Sequence, residues 1–261
     1  MPTPFKFMKP GDQEYCDAYD TFRRSSSELS YLLPVLHELF AAYPPHAVAA
    51  DFGAGNGFLA GELFKRFRKV YAVEMNSGMN EQIVANCSNA HILNSDLTEA
   101  EIPERVDMAT MIHLLYHVPD HEWGGHVLRI ANMLRPGGRL AVVLMSRYTA
   151  TNDMLAHFNA PRIDLAEKIV DAFKRREPTL EFKMSFFCVP GPLVTTTWDD
   201  TLKISRFMMS DRCRGAFPRC PSEEEVAAYT REHFWNESAG EGGWDSPPLV
   251  AVIERNTLFA S

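Results

Sequence analysis

Between residues 47 and 145 the hydrophobic positions alternate between two rhythms. Short apolar or β-branched runs have the length of strands: AVAADF (47–52), KVYAVE (69–74), HILN (91–94), VDMATMI (106–112) and LAVVLM (140–145). Between them, stretches over roughly 57–67, 78–87 and 122–134 repeat apolar residues at helical spacing. Strands alternating with helices predict parallel pairing through right-handed crossovers, so the fold class expected is α/β with a doubly wound, mostly parallel sheet. LRPGG (134–138) reads as the close of a helix and a turn, because proline and glycine do not continue one.

The flanks read differently. Residues 25–43 predict a helix with Ser25 to Ser27 as capping candidates and Glu28 in its first turn. Helices are also expected over 162–175 and 199–210. A further one over 222–234 (SEEEVAAYTREHF) opens with a serine cap and an acidic first turn. EFKMSFFCV (181–189) and LVAVIER (249–255) read as late strands, and GEGGWDSPP (240–248) as a loop by composition. Three segments result: a helical one over 1–45, an α/β core over 46–150, and a C-terminal part over 151–261 that adds the last strands.

Composition narrows the partners. Lys and Arg number 26 against 34 Asp and Glu, a formal charge of −8, which disfavours binding to a phosphate backbone; no nucleic-acid partner is expected. No apolar run approaches the roughly 20 residues of a membrane span, and the opening MPTPFKFMKPGDQEYC has no apolar secretory region, so no membrane association is expected. The five cysteines (Cys16, Cys87, Cys188, Cys213, Cys220) are scattered, with no C-x-x-C pair. Reduced thiols and a cytoplasmic location fit that pattern better than a disulfide framework or a zinc site.

The chemistry gathers at the ends of the core strands. The loop D-F-G-A-G-N-G (51–57) follows the first strand and opens the first helix, where glycines let backbone approach a ligand and free N–H groups point outward. The dinucleotide fingerprint G-x-G-x-x-G fails, because its sixth position is Phe58 and the glycines fall at 53, 55 and 57. The second strand ends at Glu74, a carboxylate able to accept both hydroxyls of a ribose. Asn94-Ser95-Asp96 follows the third strand, and the fourth runs into His113, Leu115, Tyr116 and His117 at the carboxyl edge, where open sheets bind ligands.

Together these motifs, in this order over about residues 47–145, resemble the class I S-adenosylmethionine-dependent methyltransferases. The resemblance implies a Rossmann-like seven-stranded sheet, S-adenosylmethionine as cofactor and S-adenosylhomocysteine as product. It places Gly53, Gly55 and Gly57 by the methionine part and has Asp51 orient the loop or the ammonium. Glu74 would hold the ribose and Asp96 the adenine amine, with Met75, Leu97 and His113 beside them. The flanks resemble more narrowly the histamine N-methyltransferase family, through YCDAYDTFRRSSSELS (15–30), MIHLLYHVPD (111–120) and LVAVIE (249–254). That resemblance implies Glu28 beside a substrate ammonium, Tyr15 and Tyr19 along the substrate wall, Tyr116 at a family tyrosine and His117 in place of another. His113 stands where the family has a glutamine, a change in donors and acceptors. Asp245 or Ser246 would be the polar residue before the last strand. The N-terminal helix and C-terminal extension would then cover a small-molecule acceptor, the protein being a monomer or homodimer.

The reaction so implied is in-line methyl transfer to a nitrogen of a small amine or imidazole, with catalysis coming largely from positioning. Glu28, His113 and His117 are the catalytic candidates, a histidine being able to accept a proton near neutral pH. Trp198 and Trp244 could face a cationic acceptor. Other residues read as structural: Phe182, Phe186 and Phe187 as strand packing, and Arg212, Arg214 and Arg219 as solvated surface. Glu223 to Glu225 reads as a helix start, and His121 and His126 as solvated or satisfied by neighbours. No metal is expected, since the acidic residues that hold magnesium after the fourth strand of metal-dependent relatives are absent. An O- or S-methyltransferase of a natural product, and a cofactor-binding scaffold or non-methyl reaction such as a cyclisation, stay open.

Overall fold

The computed structural model describes residues 3–9, 11–176, 181–213 and 219–257. In chain order the elements are α1 (Gln13–Ser25), α2 (Glu28–Ala41), β1 (Val48–Phe52), α3 (Phe58–Phe64), β2 (Lys69–Val73), α4 (Asn80–Asn86), β3 (His91–Leu93), β4 (Val106–Ile112), α5 (Trp123–Ala131) and β5 (Leu134–Met145). There follow α6 (Ala150–His157), α7 (Leu165–Arg176), β6 (Phe182–Cys188), β7 (Pro192–Thr195), α8 (Trp198–Cys213), α9 (Glu223–Phe234), β8 (Trp235–Asn236), β9 (Glu241–Asp245) and β10 (Pro248–Arg255).

Every residue of β1 is buried, as expected of a strand covered on both faces. It lies inside a seven-stranded sheet of order β3-β2-β1-β4-β5-β10-β6. The pairings β1–β2, β1–β4, β2–β3 and β4–β5 are all parallel. The α/β class and mostly parallel seven-stranded sheet expected from the sequence are therefore what the chain forms. Because β1 pairs with β2 on one side and β4 on the other, the winding reverses there, which opens a crevice at the carboxyl ends of β1 and β4. The core around it is apolar, with Phe52, Met108 and Met111 fully covered.

The chain divides into two compact units built from interleaved segments. One holds the residues up to Leu33, Met145–Asp164 and Cys188–Pro248; the other holds Pro34–Leu144, Leu165–Phe187 and the residues from Leu249 on. This division cuts across the three sequence segments, because β6 and β10 return to the sheet and take their residues into the second unit. In the first unit a three-stranded sheet of order β7-β9-β8 accompanies α8 and α9. There α1 packs on α8 through Tyr15, Tyr19 and Phe22, whose rings lie 5.2, 6.0 and 5.7 Å from that of Phe207.

Three local expectations need correction. The helix expected over 25–43 is α2, and it begins only at Glu28, because Ser26 is extended (φ −93°, ψ 131°) and bridges Leu193 while Ser27 N–H donates to Pro192 O at 3.0 Å; the separate helix α1 ends just before that break. The LRPGG stretch is the start of β5: Leu134 pairs with Val106, and the register then jumps so that Arg139 meets Met108, with Gly137 at φ 80° inside the irregularity. Residues 241–245, expected as loop, form β9. Helix α6 and strands β7 and β8 were not anticipated. By contrast, α9 opens as expected, Ser222 Oγ accepting from Glu225 N–H while the Glu225 carboxylate accepts from Ser222 N–H. Of the arginine cluster, Arg214 lies outside the described residues.

Candidate functional site

Asp51 closes the buried face of β1 with 2% exposure, and its Oδ1 accepts from Thr110 Oγ1 at 2.7 Å. Burial pushes its pKa up to about 7; the Thr110 hydrogen bond opposes the rise and the nearby Glu74 charge adds to it. Past it, the chain folds over the end of β2: Gly53 N–H and Ala54 N–H both donate to Val73 O, at 2.8 and 3.0 Å.

The glycines of the loop have different jobs. Gly57 has φ 80°, and a Cβ there would lie 2.6 Å from Ile83 Cα, so only glycine lets α4 pack this close. Gly55 also has a positive φ, 52°, but a Cβ on it would meet nothing within 4 Å. Its backbone thus borders open space, and its N–H donates to Glu74 Oε2 at 2.9 Å. The other carboxylate oxygen of Glu74 accepts from Asn76 N–H at 2.9 Å. Glu74 is in this way fixed at the ends of β1 and β2 by two backbone donors, with lone pairs left on both oxygens.

The turn after β3 is held from several sides. Asp96 Oδ1 accepts from Thr98 N–H at 2.7 Å and from Thr98 Oγ1 at 2.6 Å. Those bonds, first the hydroxyl and then the amide, hold the Asp96 pKa below the usual carboxylate range, helped by the charges of His126 and Arg129. Asn94 and Asn80 exchange amide hydrogen bonds at 2.9 and 3.0 Å, and Asn94 Nδ2 also donates to Glu74 O. Met75, next to Glu74, leaves an apolar side chain 70% exposed, whereas Leu97 is buried.

At the end of β4, His113 takes φ 54°, a left-handed backbone uncommon outside glycine and costly to hold. Its N–H donates to Val143 O at 2.9 Å, and its ring stacks on Tyr116 at 5.8 Å with 7° between planes. Tyr116 is buried and His117 exposed, both in the 3₁₀ turn Leu115–His117. Of the two histidines expected to be solvated or satisfied on the following helix, His126 is buried with Nε2 3.4 Å from Glu122, and His121 is exposed.

Thus Asp51, Gly53, Gly55, Gly57, Glu74, Met75, Asp96, Leu97, His113, Tyr116 and His117 fall in one unit, at or just beyond the carboxyl ends of four adjacent strands. The remaining candidates, Tyr15, Tyr19, Glu28, Trp198 and Asp245, belong to the other unit. Glu28 opens α2 with its N–H on Ser26 Oγ at 3.2 Å. Trp198 opens α8, carrying the Arg231 guanidinium 4.2 Å above its ring, and Asp245 is exposed at the end of β9. Trp244 is buried and stacks on Phe234 at 4.5 Å. Sequence reasoning missed Thr110, Asn80 and Arg129; each sits on an ordinary strand or helix face, and only long-range contact gives it meaning.

The residues present suit an adenosyl ligand, with a loop backbone bordering open space beside a fixed carboxylate and an acidic turn one strand over. Residues 49–138 match the methyltransferase domain family. An uncharacterised methyltransferase of Geobacillus kaustophilus (strain HTA426) is 28% identical over 95 residues, which is 36% of this chain and 44% of that protein. One of Mycobacterium tuberculosis (strain ATCC 25618 / H37Rv), also uncharacterised, is 32% identical over 96 residues, 36% of this chain and 48% of that protein. The matched region thus spans less than half the length of these curated relatives. Among solved structures, a provisionally assigned methyltransferase of Bacillus halodurans C-125 superposes with a TM-score of 0.62 at 15% identity, over 86% of this chain and 99% of that one. The fold is that of the class I methyltransferases.

Proposed function

We propose, for a chain that carries a methyltransferase domain over residues 49–138, that it transfers a methyl group from S-adenosylmethionine to a nitrogen of a small amine- or imidazole-containing acceptor. The observation that carries the donor half is the Gly55 backbone, open to a ligand and hydrogen-bonded to Glu74 at the switch point of the sheet. When bound, the cofactor supplies an activated methyl group on a sulfonium. Glu74 accepts from the ribose hydroxyls through its free lone pairs, and Asp96, whose Oδ1 is committed to Thr98, accepts from the adenine amine through its other oxygen. Asp51 supplies buried negative charge behind the loop when ionised, which favours a ligand bearing cationic groups.

The acceptor half rests on the resemblance of residues 15–30 and 111–120 to the histamine N-methyltransferase family. His113, held in an uncommon backbone conformation at the end of β4, is the group suited to take a proton from an ammonium acceptor. The same resemblance implies Glu28 as a carboxylate that binds an ammonium by a charge-assisted hydrogen bond.

The test is a labelled-methyl assay across imidazoles, amines, phenols, carboxylic acids and thiols, with products read by mass spectrometry. Label on an imidazole or amine nitrogen is the expected result. Label on oxygen or sulfur overturns the acceptor and keeps the donor; failure of calorimetry to detect S-adenosylhomocysteine binding overturns the donor as well.

A further inference from the structure

Beneath the Asp96 turn lies a cation that the proposed donor site does not use. Arg129, on α5, reaches under residues 96–100, where its Nη1 donates to Ala100 O at 2.7 Å and its Nη2 to Leu97 O. The third guanidinium donor, Nε, is buried with no partner, and no carboxylate lies within ion-pair distance of Arg129 among the described residues. An arginine fork spent on two backbone carbonyls holds a segment of chain in place.

The segment so held leads directly to Asp96. The peptide between Leu97 and Thr98 is gripped at both ends: its carbonyl accepts from Arg129, and its N–H donates to Asp96 Oδ1 at 2.7 Å. Ala100 N–H closes the turn on Asp96 O at 2.9 Å, while its carbonyl accepts the other arm of the fork. The side chains of Leu97 and Ala100 are buried, so the turn is pinned from the apolar side too. The Asp96 carboxylate itself is exposed. Its orientation is therefore set by a relay that begins at the Arg129 guanidinium.

We propose that Arg129 is a positioning residue for base selectivity: by fixing the 97–98 peptide it aims the free oxygen of Asp96 at the 6-amino group of the donor's purine. The inference rests on the donor reading above and adds to it a residue that touches no ligand. A carboxylate held in one orientation favours a 6-amino group, a donor, and rejects a 6-oxo group, an acceptor. A carboxylate free to swing away from the base discriminates far less.

Calorimetric titration with S-adenosylhomocysteine and its 6-oxo counterpart S-inosylhomocysteine tests this on the full chain. The wild type should prefer the 6-amino ligand by at least about tenfold. Arg129→Met, which keeps length and loses every donor, should reduce that preference to about threefold or less, and Arg129→Lys should reduce it too, since an ammonium cannot bridge both carbonyls. Arg129 itself lines a cavity of about 750 Å³ together with Thr98, Glu122, His126 and Asn132, so a shorter or uncharged side chain leaves room for water beside it and the variants should fold. Where Arg129→Met does not fold, Arg129→Lys carries the same comparison.

A merely structural role would lower stability and both affinities together and leave their ratio within about twofold of the wild type, and that result overturns the proposal. In an Asp96→Ala background, Arg129→Met should no longer change the ratio; a ratio that still moves there also overturns it, since the arginine would then act by another route. A wild type that binds neither ligand refutes the donor reading itself, and one that binds both equally refutes the role of Asp96.

Discussion

Replacing Asp51 by asparagine should make the protein more stable at alkaline pH and leave it nearly unchanged at acid pH. The carboxyl is 2% exposed and hydrogen-bonded to Thr110, with its pKa raised from 3.8 to about 7, mainly by burial. The folded chain therefore holds a proton at this site that the unfolded chain has released between those two values. Since stability falls with pH wherever the native state binds more protons, Asp51 stabilises fully below pH ~4, loses that contribution as pH rises toward ~7, and is flat above it. With about 1.4 kcal/mol per pH unit of separation, the loss between pH ~5 and ~8 comes to roughly 2–3 kcal/mol. Asparagine imitates the protonated acid in shape and keeps an oxygen for the Thr110 hydroxyl, so the variant should not show this loss.

The measurement is urea unfolding of both proteins from pH ~4 to ~8, read as the difference between them at each pH, which cancels the groups they share apart from those coupled to Asp51 by charge, Glu74 and Cys87. The variant should match the wild type within about 1 kcal/mol near pH ~4, exceed it by about 1.5 kcal/mol near pH ~5 and by roughly 4 kcal/mol near pH ~8. Thr110→Val, which removes the one hydrogen bond opposing the rise, should move the wild-type transition to higher pH. A difference that stays constant with pH, or a wild type that gains on the variant as pH rises, would refute the reasoning that burial dominates this carboxyl.

Other expectations follow from single contacts. Gly57→Ala, which forces a Cβ to 2.6 Å from Ile83 Cα at φ 80°, should destabilise the fold by roughly 2–4 kcal/mol in the same unfolding assay. Gly55→Val has no such clash but places a branched side chain in the open space beside the loop; S-adenosylhomocysteine affinity measured by calorimetry should fall at least about a hundredfold while the chain stays folded. Glu74→Ala should weaken the same ligand by about tenfold or more, and Glu74→Gln by less, because the amide oxygen can still accept from a hydroxyl. Ser222→Ala, which breaks the reciprocal cap of α9, should cost about 1–2 kcal/mol of stability without changing ligand affinity.

What could be read from the chain in advance was whatever depends on neighbours in sequence. The interior core strands showed through because parallel strands covered on both faces are continuous apolar runs, and β1 is buried throughout. Glu74 could be placed because it ends such a run. Contacts between distant segments were invisible. Residues 241–245 have a loop's composition, yet a Cβ on Gly242 would lie 2.3 Å from Thr201 Oγ1 and 2.4 Å from Thr195 Oγ1, so glycine there lets a strand lie close against its neighbours. In LRPGG the local chemistry was right, Gly137 having φ 80°, but pairing with β4 absorbed the irregularity into a strand. His113's left-handed backbone and the grip of Arg129 on two carbonyls leave no periodic trace, because one histidine or one arginine at a given position fits many environments equally well.

The strand order carries a consequence for how the molecule is made. β10 is the last of the described strands along the chain, yet it lies inside the sheet, between β5 and β6. As the polypeptide leaves the ribosome, β5 is complete at Met145 and its interior neighbour begins only at Pro248. About a hundred residues separate them, on the order of 5–20 s of synthesis. Throughout that interval the nascent sheet shows an unpaired hydrophobic edge at β5, a template for wrong partners. Slowing translation between the codons for Met145 and Pro248 should therefore lower the soluble yield more than slowing it before Met145, through nothing more than the place of one strand.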